Sequence, residues 1–172
     1  MRLFPLFSLF TLASALIIPR NSINDCGDSS FESTTSAGSP HKTDCEQLAR
    51  NIASGGTWTF NSGGTQWQLA SYGSCAFGAQ TACLPHHCPA GGILVKIGNQ
   101  DIINVITESV KEFTNADGLV GAKGIMDCQE VGDDHPIAVL WGIYATGAMN
   151  VSGMVHEDGV DGVLAEGQGG EQ

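Results

Sequence analysis

Positive charge is scarce in this chain: 7 Lys and Arg stand against 18 Asp and Glu, a formal net charge of -11 over 172 residues. A nucleic-acid binder that works by neutralising phosphates has almost no means to do so, and docking on anionic lipid by electrostatics fails on the same ground. Long apolar runs are missing too. The stretch from Leu3 to Leu12 is interrupted by Pro5 and Ser8 and ends near Pro19-Arg20, short of the roughly 20 apolar residues a membrane-spanning helix needs. Catalytic signatures are absent as well: there is no G-x-S-x-G elbow, no H-E-x-x-H and no paired-carboxylate motif at a recognisable strand end. The five histidines, His41, His86, His87, His135 and His156, all fall in expected loops or the tail, where histidine is a solvated surface residue. No catalytic residue, no cofactor and no enzymatic activity are expected.

What is there fits one domain with short appendages. Met1-Arg2, the apolar run and the small residues Ala13-Ser14-Ala15 read as a secretory signal peptide over 1–15, with cleavage near Ala15. Residues 16–23 are an N-terminal extension. All six cysteines (Cys26, Cys45, Cys75, Cys83, Cys88 and Cys128) follow the signal, and an even number in an exported chain reads as disulfides.

Residues 25–38 are turn-forming without a sustained period, and read as an extended segment. Thr43 and Glu46 have capping-box spacing, and Cys45, Leu48, Ala49 and Ile52 recur at helical intervals, so 43–52 is a short helix stopped by Gly55-Gly56. Alternation in 57–60, a turn at Asn61-Ser62-Gly63-Gly64, and one shared parity for Trp67, Leu69, Ser71, Gly73, Cys75 and Phe77 predict a β-hairpin with a long second strand. Trp58, Phe60 and Trp67 are read as cross-strand core partners rather than as a sugar-binding platform. Residues 78–92 have no period and read as an inserted, cysteine-containing loop. A short strand at 94–97 leads to a helix capped by Asn99 and running to Phe113, with Ile102, Val105, Ile106, Ser109, Val110 and Phe113 as its buried stripe and Asp101 in its first turn. Strands at 120–128 and 137–144 follow. The fold class is therefore α+β: two helices packed on one face of a mostly antiparallel sheet of four to five strands, stabilised by disulfides. The domain runs over 24–145. Residues 146–172 are Gly-rich and acidic, lack the periodicity to pack, and read as a disordered tail carrying a glycosylation sequon at Asn150.

Cys83-Leu84-Pro85-His86-His87-Cys88 holds four potential zinc ligands, but six residues including proline can hardly place all four tetrahedrally; a local Cys83 to Cys88 disulfide is the simpler expectation. Glu157, Asp158 and Asp161 are too widely spaced by glycine to fix calcium. No metal site is expected. Cys45 lies on the apolar face of the first helix and Cys75 shares parity with a sheet face, so helix packing brings them within bridging reach; Cys26 then pairs with Cys128.

Six blocks resemble a known family: NDCGDSSF at 24–31, DCEQLARNI at 44–52, QLASYGSCAF at 68–77, IGNQDI at 97–102, VGAKGIMDC at 120–128 and WGIY at 141–144. Together they look like the secreted fungal effectors homologous to extracellular protein 2 of the tomato leaf-mould fungus, the necrosis-inducing-factor family. The resemblance covers residues 24 to about 144 and includes Cys26, Cys45, Cys75 and Cys128, while Cys83 and Cys88 sit in an insertion outside the pattern. It implies a killer-toxin-like α/β sandwich, secretion into the host apoplast, and a virulence factor that provokes necrosis or defence in a plant without catalysis. Its partner would be a host protein or a cell-surface or wall component, with no nucleic acid and no membrane span. Two alternatives remain at this stage: a toxin against competing fungi, and a wall-active hydrolase using Trp58 or Trp67 to stack sugars.

Overall fold

The computed structural model describes residues 21–61, 66–82, 93–133 and 135–147. The expected signal peptide, the Cys83 to Cys88 bridge with His86 and His87, and the tail from residue 148 on, with Asn150, His156 and the acidic trio, lie outside the described residues; Thr146, the first residue of the expected tail, is tied to the domain through bonds to the Ser74 and Gly73 carbonyls.

β1 (Cys26–Ser29) and β2 (Glu32–Ser33) precede α1 (Lys42–Asn51). Then come β3 (Thr57–Asn61), β4 (Trp67–Tyr72), β5 (Cys75–Thr81) and β6 (Leu94–Gly98), which leads directly into α2 (Asn99–Phe113). β7 (Ala122–Gln129) and β8 (Pro136–Ala145) close the domain. The main sheet is antiparallel in the order β1-β7-β8-β5-β4, with β2 also on β7. β3 and β6 form a separate two-stranded ribbon. Two helices on an antiparallel sheet make this the α+β arrangement expected.

Alternation explains the core. β8 lies mid-sheet between β7 and β5, and Val139, Trp141 and Ile143 on one of its faces are buried with Phe77, Ala79 and Met126. Trp141 is the hub: Phe31 meets its ring edge-on at 5.4 Å, Phe77 stacks at 6.5 Å, and its indole N–H donates to Ser29 Oγ at 2.7 Å. Gly124 leaves room for that indole, since a Cβ there would run into both the Trp141 ring and the Ser30 carbonyl oxygen. Helices α1 and α2 cover this face with Cys45 and Leu48 from one and Ile102, Val105 and Ile106 from the other.

Four local expectations are corrected. β3 pairs with β6, residue Thr57 opposite Gly98 through Asn61 opposite Leu94, rather than with the strand that follows it in sequence. The long second strand is two strands: Gly73, at φ 54°, turns the chain so that β4 and β5 pair with each other, and a register shift between Gln68 and Ala70 moves the alternation by one. The turn-rich segment after Asp25 supplies β1 and β2, because β7 offers it an edge to pair with. Trp58 and Phe60 do pack against the core, but Trp67 is 49% exposed, standing on the outermost strand.

Candidate functional site

The start of α2 is a knot of three chain segments. Its N-cap is Gly98 rather than Asn99, and Asp101 three residues on accepts the Gly98 N–H at 2.9 Å and the Asp25 N–H at 2.8 Å through the same carboxylate oxygen. The Cys26 N–H adds to this set. Asn99 is buried one residue inside the helix, where its side-chain oxygen accepts the Ile23 N–H at 3.0 Å and its amide donates to the Ile52 carbonyl at the end of α1 at 3.2 Å. The backbone completes the knot, Asn99 N–H donating to Gly56 and Gln100 N–H to Ile23. Burial pushes the Asp101 carboxyl up from the ordinary aspartate range, opposed by the N–H groups of Asp25, Gly98 and Cys26, with the nearby Asp25 charge raising it slightly further.

A second clamp fixes α1. Asp44 Oδ2 accepts both the Ser74 N–H at 2.8 Å and the Ser74 hydroxyl at 2.7 Å, next to the disulfide joining Cys45 to Cys75. Ser74 Oγ in turn accepts the His41 N–H at 3.0 Å. His41, not Thr43, is the N-cap, and its side chain makes no capping bond. The turn itself must be glycine: Gly73 has positive φ, and a Cβ would come within 2.6 Å of the Asp44 carboxylate. The other disulfide ties Cys26 to Cys128, which face each other in register across β1 and β7.

These clamps titrate with opposite signs. The Ser74 N–H, then its hydroxyl, hold Asp44 below the ordinary aspartate range, so its contribution is present above that range and is lost as pH falls through about 4 and below. Asp101, raised by burial, contributes most below that range and loses its contribution as pH climbs through its raised value. Acid unfolding should therefore draw on Asp44 and not on Asp101. In melting scans between about pH 3 and about pH 6, Asp44→Asn is expected to flatten the acid side of the stability profile, whereas an unchanged slope would contradict the assignment.

With these side chains committed to holding segments together, two grooves among the described residues flank α2. Between β1 and α2 runs a groove of about 650 Å³. Asp28 and Glu108 stand on its walls, Phe31, Ile103 and Met126 give it apolar lining, and no Lys, Arg or His is among the described residues that line it. Lys111 pairs with Glu108 at 2.6 Å and is otherwise solvated. A smaller groove of about 330 Å³ lies between α1 and α2, with Ala49 and Val110 as apolar lining and Glu46 and Arg50 at its side. Gln100, Ile103 and Thr107 border both grooves and form the ridge between them.

The family model whose description reads "Pathogen effector; putative necrosis-inducing factor" matches residues 25–128. This chain belongs to that family, Hce2. The Hce2 match opens one residue before Cys26 and closes on Cys128, so one disulfide spans it, and every residue lining either groove falls inside it. Two proteins of Penicillium expansum share this region. "Probable chitinase LysM18" is 36% identical over 127 residues, 73% of this chain and 8% of that protein. "Secreted chitinase LysM12" is 30% identical over 118 residues, 68% of this chain and 7% of that protein. The chain thus spans under a tenth of the length of these relatives.

The sequence-marked residues divide clearly. Cys26, Cys45, Cys75 and Cys128 hold the Hce2 scaffold, as do Asp101, Asn99 and Asp44, whose long-range roles the sequence reading missed. His41 and His135 are exposed, the latter beside Asp133. Among the described residues no group of three or more metal-ligating side chains converges, and no helix is long and apolar enough to cross a membrane. Ile103 also escaped notice, although it carries a signal: it is an apolar residue lying off the buried stripe of Ile102, Val105, Ile106 and Ser109.

Proposed function

We propose that this Hce2 protein is a secreted fungal effector that provokes necrosis or a defence response in a plant by binding a host protein or a cell-surface or wall component, without catalysis. The α2 ridge and its grooves are the binding surface. The observation that carries this reading is the groove between β1 and α2, with an apolar lining, carboxylates on its walls and no cationic lining residue described. Asp101 and Asp44, the carboxylates held most tightly, have their hydrogen bonds committed to the backbone and to Ser74 rather than presented to a substrate. The acidic balance favours a neutral or basic face on the target.

The chitinase names of the two relatives support a second reading, in which the domain serves action on wall polysaccharide. Infiltration of purified folded protein into leaves, beside a reduced and alkylated control, separates these readings when combined with an assay for sugar released from wall material. The effector reading expects a response to the folded protein, none to the control, and no released sugar. Sugar release by the domain would overturn the non-catalytic reading, and a response from the unfolded control would remove the fold from the account.

A further inference from the structure

The main sheet ends on β4, and on the side away from β5 no backbone hydrogen bond joins residues 67–72 to any described residue. Sheet edges are ordinarily blunted by lysine, proline, inward-pointing charge or a β-bulge. Of these β4, reading WQLASY, has only the irregularity between Gln68 and Ala70, and it is uncharged in a chain of net charge -11. Its two aromatic ends are among the most exposed large apolar side chains described, Trp67 at 49% and Tyr72 at 44%. The register shift between Gln68 and Ala70 also matters here. Trp67 stands opposite Ala79 and Tyr72 opposite Cys75, and Ala79, Phe77 and Cys75 alternate on one face of β5. Both exposed aromatics therefore belong to the same face of the sheet.

We propose that β4 is the site at which two copies of this chain associate, edge to edge and antiparallel about a two-fold axis, joining their sheets into one. The strand is self-complementary in that arrangement. Centring the axis between Leu69 and Ala70 sets Trp67 of each copy opposite Tyr72 of the other, on one face, with Gln68 opposite Ser71, and no charge is brought against a like charge within the strands. This self-pairing is what favours a second copy over a foreign strand; two chains of net charge -11 repel over most approaches, and β4 is an uncharged line along which that repulsion is least and where backbone groups with no partner among the described residues would be satisfied.

Sedimentation of the folded, oxidised chain over a range of concentrations tests this, with amide exchange at β4 as a second readout. The expected result is a monomer–dimer equilibrium that tightens as salt screens the repulsion, with the β4 amides slowing as dimer forms. Trp67→Lys should weaken the dimer at least about tenfold, while Leu94→Lys, at a position equally exposed (47%) but on the β3–β6 ribbon, should leave it unchanged. Since the Trp67 indole also donates to the Asn61 carbonyl, Tyr72→Lys provides a second edge variant if the first fails to melt cooperatively. A chain that stays monomeric at all concentrations, assemblies of no fixed size, or a dimer equally sensitive to Leu94→Lys would overturn the proposal.

Discussion

Replacing Cys26 and Cys128 together by serine is expected to cost the fold about 4.7 kcal/mol, because the bridge they form closes a loop of 102 residues and its loss returns that chain entropy to the unfolded state. The same replacement at Cys45 and Cys75, 30 residues apart, should cost about 3.6 kcal/mol. Both are large against the roughly 5–15 kcal/mol that a domain has in total. The structure adds a term in the same direction, since Cys45, Cys75 and Cys128 are fully buried and a serine hydroxyl there would lose hydration without an assured partner. Denaturant unfolding of the two double variants should show the Cys26/Cys128 pair as the more destabilised. Equal stability of both variants to the parent would mean that hydrogen bonding alone holds β1 to β7.

Asp101→Ala is expected to cost about 3–5 kcal/mol, although no apolar contact of consequence is lost. The carboxylate accepts the buried N–H of Gly98 and the part-buried N–H of Asp25, and a donor left without an acceptor away from water costs about 1–3 kcal/mol. The damage should spread, because the same few residues connect the entry to β1, the end of α1 and the start of α2. Asp101→Asn, which keeps an acceptor oxygen, should recover much of the loss in thermal melts. If the alanine variant melted within about 0.5 kcal/mol of the parent, the knot would be an incidental arrangement rather than what holds α2 in place.

The parts of this fold that local patterning governs were legible in the sequence. Cys45 and Leu48 mark the inward side of α1 by spacing alone, Ile102, Val105 and Ile106 do so for α2, and β8 shows apolar residues on both parities as a central strand must. What escaped was decided at a distance. Asn99 has the chemistry of an N-cap, but Ile23 and Ile52 capture its side chain from 76 and 47 residues away. β3 sits beside β4 in sequence and yet pairs with β6, since adjacent strands are a tendency and not a rule. Parity ran unbroken from Trp67 to Phe77 because the shift at Leu69 and the turn at Gly73 were both invisible to it. The grooves were equally hidden: Asp28 and Glu108 share a groove because β1 lies alongside α2, which no spacing along the chain reports.

Ile103 borders both grooves and is half-buried rather than part of the core, so Ile103→Lys should disturb the α2 surface while leaving the fold within about 1 kcal/mol of the parent. Parent and variant, matched by melting temperature and infiltrated side by side into the same leaf over a dilution series, measure whether this surface carries the activity. Action by binding through α2 predicts that the variant needs at least about ten times the dose for the same response, the displacement expected when a charge is forced into an apolar contact worth about 1.4 kcal/mol or more. Superimposed dose curves from two equally folded proteins would contradict it.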